Sequence, residues 1–295
     1  MSGAHQELRP VSVNMLGLVE HPAFGGSPYR VDGNGHPYLP VGDGGIVLGL
    51  RLGDPAAGLA ADHAAPGACL VHPDPAAGHA LASLACIGNE VQVRTGAAAG
   101  ARGVVLGKRG EEGRIIAGFA QRDLAQLRPA DEVSVRACGQ GWRPPGLPPD
   151  VTVMNADPGL LGLLPVTVSG DGQEVTAGVR MTVPSKLAGN GIGRPAAAWD
   201  LDLQLPAGGP GGGARPQPGE LLLGDLVAVS GLDARWNMGY RKGWVTVGVV
   251  VHGSSPLPGH GPGLTPILSG PESVLRPRPD ATGHVGLTEP ALRLQ

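Results

Sequence analysis

The sequence predicts an all-β protein with minor helix, built as two β-rich lobes. Three observations lead there. The chain holds 51 glycines and 30 prolines in 295 residues, well above the usual roughly 7% and 5%. These residues interrupt nearly every stretch at intervals that break long helices and that short strands tolerate. Several short segments alternate apolar and polar residues with the period of two expected of strands. At 295 residues the length exceeds one average domain.

Residues 1–145 form the expected first lobe. Residues 29–40 are turn-rich around Asp32-Gly33-Asn34-Gly35 and lead into a buried strand over Gly44–Leu52, closed by a Gly53-Asp54 turn. Asp123–Leu127 reads as a short helix stopped by Pro129, and Glu132–Ala137 as a strand. Pro144–Pro149 reads as the interlobe linker. In the second lobe, 146–270, strands are expected at Val151–Met154, Leu163–Ser169, Glu174–Val183, Leu201–Leu205, Asp225–Ser230 and Trp244–His252. Residues 206–219 read as a flexible surface loop and 271–295 as an irregular tail.

The formal net charge of −3 and pI near 6.3 supply no field that would draw the chain onto nucleic acid or an anionic membrane. The expected partner is a small-molecule substrate. Cys69, Cys86 and Cys138 are odd in number and scattered, so neither a disulfide framework nor a CxxC clip is available, which fits a reducing compartment. Residues 1–19 lack a signal-peptide apolar region, and no apolar run approaches the roughly 18 residues of a membrane span. A cytoplasmic location is expected. A homo-oligomer is also expected, because β-rich chains with few aromatics often complete their cores through subunit contacts.

Between Cys86 and Gly110 the segments Glu90-Val91-Gln92-Val93 and Arg102-Gly103-Val104-Val105 flank a Gly-rich turn. This hairpin resembles the KOW element, which implies a small SH3-like barrel in the first lobe; the second lobe is expected to be a β-barrel or sandwich. KOW elements that bind RNA carry several cations. Here the loop Ala97–Gly100 is uncharged, leaving mainly Arg94, Arg102, Lys108 and Arg109, so nucleic acid is not the expected partner.

Chemistry is read from four places. Asp62-His63 lies between turn signals, where an imidazole beside an acid serves as a general base or a metal ligand. His252 ends a strand and His260 follows a Pro-rich turn among Gly259, Gly261 and Gly263, which permit close approach of backbone to ligand. These two histidines are the candidate ligands for a divalent metal. Asp200 and Asp202 share one side of a strand, where they could share a proton, bind a cation or face water. Asn155, Asp157, Gly191 and Arg241 complete the candidate substrate contacts. No nucleotide cofactor is expected: Gly189–Gly193 lacks the GxGxxG spacing, and no P-loop or GxSxG motif occurs.

In order along the chain, Pro28–Val31, Gly44–Ile46, Gly53-Asp54, Asp62-His63, Cys86–Glu90, Gly107-Lys108, Met154–Pro158, Gly189–Gly193, Asp200–Asp202 and Gly248–Gly263 together resemble the prokaryotic family catalogued as domain of unknown function 4438, with its N- and C-terminal parts, over about residues 20–270. The resemblance implies a fold and no catalytic assignment. The chain departs from the family pattern at Leu59, where an aromatic precedes the Asp-His pair, and at Arg109, where histidine follows Gly-Lys. A changed substrate or a specialised biosynthetic role would account for this. The expected function is a small-molecule enzyme of hydrolase or lyase type, with Asp62, His63, His252 and His260 acting by acid/base or metal-assisted chemistry between the lobes. The alternatives are a non-catalytic module that binds RNA or protein through the hairpin, and a structural subunit.

Overall fold

A computed structural model describes residues 9–23, 26–110, 113–205, 221–280 and 283–294. The first lobe opens with β1 (Val13–Val19) and three two-residue strands, β2 (Arg30–Val31), β3 (Pro37–Tyr38) and β4 (Ile46–Val47). They are followed by β5 (Gly67–Val71), α1 (Pro75–Leu84), β6 (Glu90–Val93), β7 (Arg102–Arg109), β8 (Arg114–Phe119), α2 (Gln121–Leu124) and β9 (Glu132–Ala137). The order β1-β9-β6-β7-β8-β5 returns to β1 through Leu18 opposite Val71, closing a six-stranded antiparallel barrel. Closure leaves these six strands without an unpaired edge.

The expected hairpin is β6–β7, with Glu90 opposite Val104 and Gln92 opposite Arg102. β9 matches its expected bounds and shows the period of two plainly: Val133, Val135 and Ala137 are buried while Glu132 and Arg136 are exposed. β8 is buried throughout. Its Ile115, Ala117 and Phe119 fill the barrel, whereas Ile116 joins a second core cluster with Leu226, Val247 and Leu268 of the other lobe. The lobes therefore share apolar core across their junction.

The second lobe comprises β10 (Thr152–Val153), β11 (Val166–Val168), β12 (Val175–Val179), β13 (Met181–Pro184), β14 (Leu201–Asp202), β15 (Leu226–Asp233), β16 (Gly239–His252), β17 (Gly263–Pro271) and β18 (Leu275–Pro279). One sheet runs β10-β17-β16-β15-β13 with β14 beside β17, and a smaller one runs β11-β12-β18. Val175, Ala177 and Leu275 of the small sheet and Ala228 and Val245 of the large one meet in one core.

Several expectations need correction. The strand expected over Gly44–Leu52 is only Ile46–Val47, because Gly44, Gly45 and Gly49 take positive φ and turn the chain. The stretch Glu174–Val183 divides at Arg180, with β12 pairing β18 and β13 pairing β15. The tail is not irregular throughout: β18 lies parallel to β12, and Leu287, Leu292 and Leu294 are buried. α1 went unpredicted although its signals are present, namely Asp74 accepting from the Ala77 N–H and proline at the first helical position. β17 is an apolar interior strand and lacked the alternation that marks half-buried ones. The loop expected over 206–219 lies outside the described residues. Among the described residues no helix is long and apolar enough to cross a membrane.

Candidate functional site

His63 sits in the loop between β4 and β5 with a φ of 50°, a left-handed conformation that is costly for a non-glycine residue. The loop is stitched to the chain leaving β16: Gly253 N–H donates to Ala64 O at 2.8 Å, Ser254 N–H to Ala56 O at 2.7 Å, and His63 N–H to Ser254 O at 3.2 Å. These bonds carry a first-lobe imidazole to the end of β16, where His252 is the last residue. Gly263, opposite His252, must be glycine because a Cβ there would overlap the imidazole.

The three histidines converge. The ring centroids of His63 and His252 are 5.2 Å apart, and those of His63 and His260 4.9 Å. His63 Nε2 lies 2.9 Å from His260 Nδ1, which lies 3.2 Å from Asp202 Oδ2. On its other side, His63 Nδ1 is 2.7 Å from Asp62 Oδ1, although the alignment falls short of a good hydrogen bond. Asp200 and Asp202 share a side of their strand, as the period of two demands, and that side is buried against these histidines rather than open to water.

His252 has an acceptor at each ring nitrogen: Gly253 O is 2.8 Å from Nδ1 and Asp200 Oδ2 is 2.7 Å from Nε2. Carbonyl and carboxylate oxygens only accept, an arrangement that favours a proton on each nitrogen and so the imidazolium form. Burial opposes that charge, but the hydrogen bond and charge of Asp200, with Asp202 behind it, outweigh burial and raise the His252 pKa. His63 behaves oppositely. Its pKa is lowered, chiefly by burial and despite Asp62, so the ring stays neutral. Asp62, buried yet held by His63, Ser255 and Arg30, is kept well below the usual carboxylate range.

A charged shell surrounds the cluster. Arg109 is buried and pairs with Asp43. Asp43 also meets Arg30 at 2.5 Å and Arg114 at 3.2 Å, and Arg114 meets Glu20 at 2.6 Å. Tyr38 Oη donates to Asp62 Oδ2 at 3.1 Å and Arg30 reaches the same oxygen at 3.0 Å. Two clefts lie near the cluster, neither lined by its histidines. One, of ≈ 420 Å³, is lined by Tyr38, Leu59, Ala61, Ser254, Ser255 and Pro256. The other, of ≈ 480 Å³, lies between the lobes, with Gly110 and Trp199 in its wall. Behind that wall, Gly110 N–H donates to Asp200 Oδ1 at 2.9 Å.

The remaining candidates stand apart from this chemistry. Asn155, with a φ of 52°, donates to Ala196 O and Pro266 O at 2.7 and 2.9 Å and so ties loops together. Asp157 accepts from Asn89 at 2.9 Å and from Gly159 N–H at 2.9 Å, fixing a turn. Gly191 and Gly261 are approached closely by the protein's own backbone, at Asp200 and Leu203. Arg241 pairs with Asp233 at 2.9 Å near the start of β16. Eleven residue steps along β16, about 36 Å at the usual rise, separate it from His252.

Tyr38, Asp43, Arg30, Glu20 and Arg114 were not singled out from sequence. One signal was available: Lys108, Arg109 and Arg114 are cations within otherwise apolar strands, and all three are buried. Burial brings the Lys108 pKa down to about 7, with Nζ donating to Ser83 O and Ala197 O.

Fold and site together define a class: a two-lobed all-β protein with a buried histidine–carboxylate cluster at the lobe junction. The models described as Domain of unknown function (DUF4438), N-terminal and C-terminal, match residues 29–162 and 164–287. The chain belongs to the DUF4438 family. It is also similar to the crystal structure of TM1086, at 34% identity and a TM-score of 0.85, over 95% of this chain and 98% of that one. No curated protein matches it.

Proposed function

We propose that the protein is a small-molecule enzyme of hydrolase or lyase type, acting by proton transfer at the His63–His260 pair. The observation that carries this reading is the convergence of His63, His252, His260, Asp62 and Asp202, drawn from loops and strands of both lobes, in a setting that pushes the pKa of one imidazole down and of another up. Neighbouring titratable groups whose environments drive their pKa values apart are the usual mark of divided acid and base roles.

In this reading Asp62 orients His63, and His63 exchanges a proton with His260. His260, whose side chain is 12% exposed, presents the proton to substrate. The His252 imidazolium, fixed by Asp200, favours negative charge developing nearby. The cleft beside Tyr38 and Ser255, at ≈ 420 Å³, suits a metabolite-sized ligand. Against the RNA-binding alternative, Lys108 and Arg109 of the hairpin are buried and Arg102 pairs with Glu90 at 3.0 Å, which leaves little cationic surface for phosphates.

The test is a screen of purified protein against small esters, amides, lactones and hydroxy acids, with products read by mass spectrometry. Turnover by the wild type that drops about 10²–10⁴-fold in His260→Ala supports the reading. Turnover unaffected by that change, or none across the panel, would count against it and favour a non-catalytic role.

A further inference from the structure

We infer that His63, His260 and Asp202 form a binding site for a first-row transition-metal dication. The inference rests on the same cluster as the proposed enzyme, but not on catalysis. One ligand atom from each of His63, His260 and Asp202 lies within 4.8 Å of the others, and His63 Nε2–His260 Nδ1 and His260 Nδ1–Asp202 Oδ2 are 2.9 and 3.2 Å apart. A tetrahedral ion with bonds near 2.0–2.1 Å holds its ligand atoms about 3.4 Å apart. The three donors need only small side-chain adjustments to reach that spacing.

Two other triads have comparable spacing, Asp43–Asp62–His63 and Asp200–Asp202–His252. Both are already committed elsewhere. Asp43 contacts Arg30, Arg109 and Arg114, and Asp62 contacts Arg30, Tyr38 and the far nitrogen of His63. His252 is likewise engaged at both nitrogens, by Gly253 O at 2.8 Å and Asp200 Oδ2 at 2.7 Å. This moves His252 out of the ligand pair expected from sequence and puts His63 in its place.

An independent observation points the same way. Asp202 is 2% exposed, and its Oδ1 has no hydrogen-bond partner and lies 3.7 Å from His252 Nε2. The His252 ring is too far away to hydrogen-bond this oxygen, and a buried carboxylate oxygen without a direct partner is costly, a cost that a directly bonded cation would remove. Among the ion pairs of the described residues, guanidinium groups reach Glu20, Asp43 and Asp62, whereas Asp202 meets only histidines.

The surroundings supply the second layer that metal sites use. Asp62 sits at 2.7 Å behind His63 Nδ1, where its charge favours the proton on that nitrogen and a lone pair on Nε2, the placement of a carboxylate behind a ligand histidine that metal sites use. Two imidazoles and one carboxylate suit zinc, iron, cobalt or nickel dications, and magnesium or calcium, which prefer all-oxygen sites, much less well. One bond-making change is involved: the dication takes lone pairs at His63 Nε2 and His260 Nδ1, with the His260 proton leaving Nδ1 while solvent supplies one at that ring's Nε2, so both ligands are neutral imidazoles and no net proton is released.

The experiment is a titration of tag-free, chelator-treated full-length protein with cobalt(II) chloride, read by visible d–d absorption, alongside elemental analysis of protein purified without chelator. One equivalent of cobalt with a ligand-field spectrum supports the site. Its loss in His260→Ala and in Asp202→Ala, and a 10–100-fold weaker affinity in Asp62→Asn, locate it. Wild-type protein that neither carries metal as purified nor shows cobalt bands overturns the inference, whether or not the variants fold. Stoichiometric cobalt in a protein with no turnover would leave the metal site standing and remove the enzyme reading; turnover without metal would do the reverse.

Discussion

At the scale of the residue, the Asp200–His252 pair makes the clearest demand. His252 has a raised folded-state pKa, so its contribution to stability is fully present below the unfolded value near 6.5 and is lost as pH rises through the folded value. Asp200 has a lowered one, so its contribution is present above about 3.9 and is lost as pH falls through the folded value. The pair therefore stabilises most between these limits. Asp200→Asn should cost about 3–5 kcal/mol near pH 6, the usual loss when one partner of a buried pair is removed. It should also flatten the decline in stability above pH 6.5. Urea unfolding at several pH values checks both; an unchanged pH profile would show that the charge on His252 does not depend on Asp200.

At the scale of the element, β16 and β17 position the chemistry through one glycine. Gly263 faces His252 so closely that a methyl group would occupy the space of the imidazole. Gly263→Ala should push the ring off Asp200 or distort the β16–β17 end, costing about 1–3 kcal/mol or more as overpacking does. Thermal unfolding measures the loss. Parental stability in that variant would mean the ring has room that this packing denies it.

At the scale of the molecule, the last strand and the segment after it belong to the shared core. Leu275 in β18 and Leu287, Leu292 and Leu294 beyond it are buried with residues of both lobes. Each fully buried leucine contributes about 1.5–3 kcal/mol, so losing four approaches the whole 5–15 kcal/mol that stabilises a typical domain. Deletion of residues 272–295 should leave a chain without cooperative unfolding, as seen by circular dichroism on heating. A sharp transition at the parental temperature would show the segment to be dispensable.

Much of this architecture could be read locally. Glycine and proline punctuation excluded long helices, and alternation located β9 and the β6–β7 hairpin, because a half-buried strand writes its two faces into successive residues. The same rule placed Asp200 and Asp202 on one side, turn signals marked His63 and His260, and His252 was marked by its place at a strand end. Interior strands such as β8 and β17 are buried on both faces and write no such signal. Barrel closure, the separation of β12 from β13, and the return of the tail into the core depend on partners far along the chain. So does the site's electrostatics: whether Asp202 faces water or a histidine, and which imidazole is charged, follow from burial and neighbours that only the folded chain brings within a few ångströms.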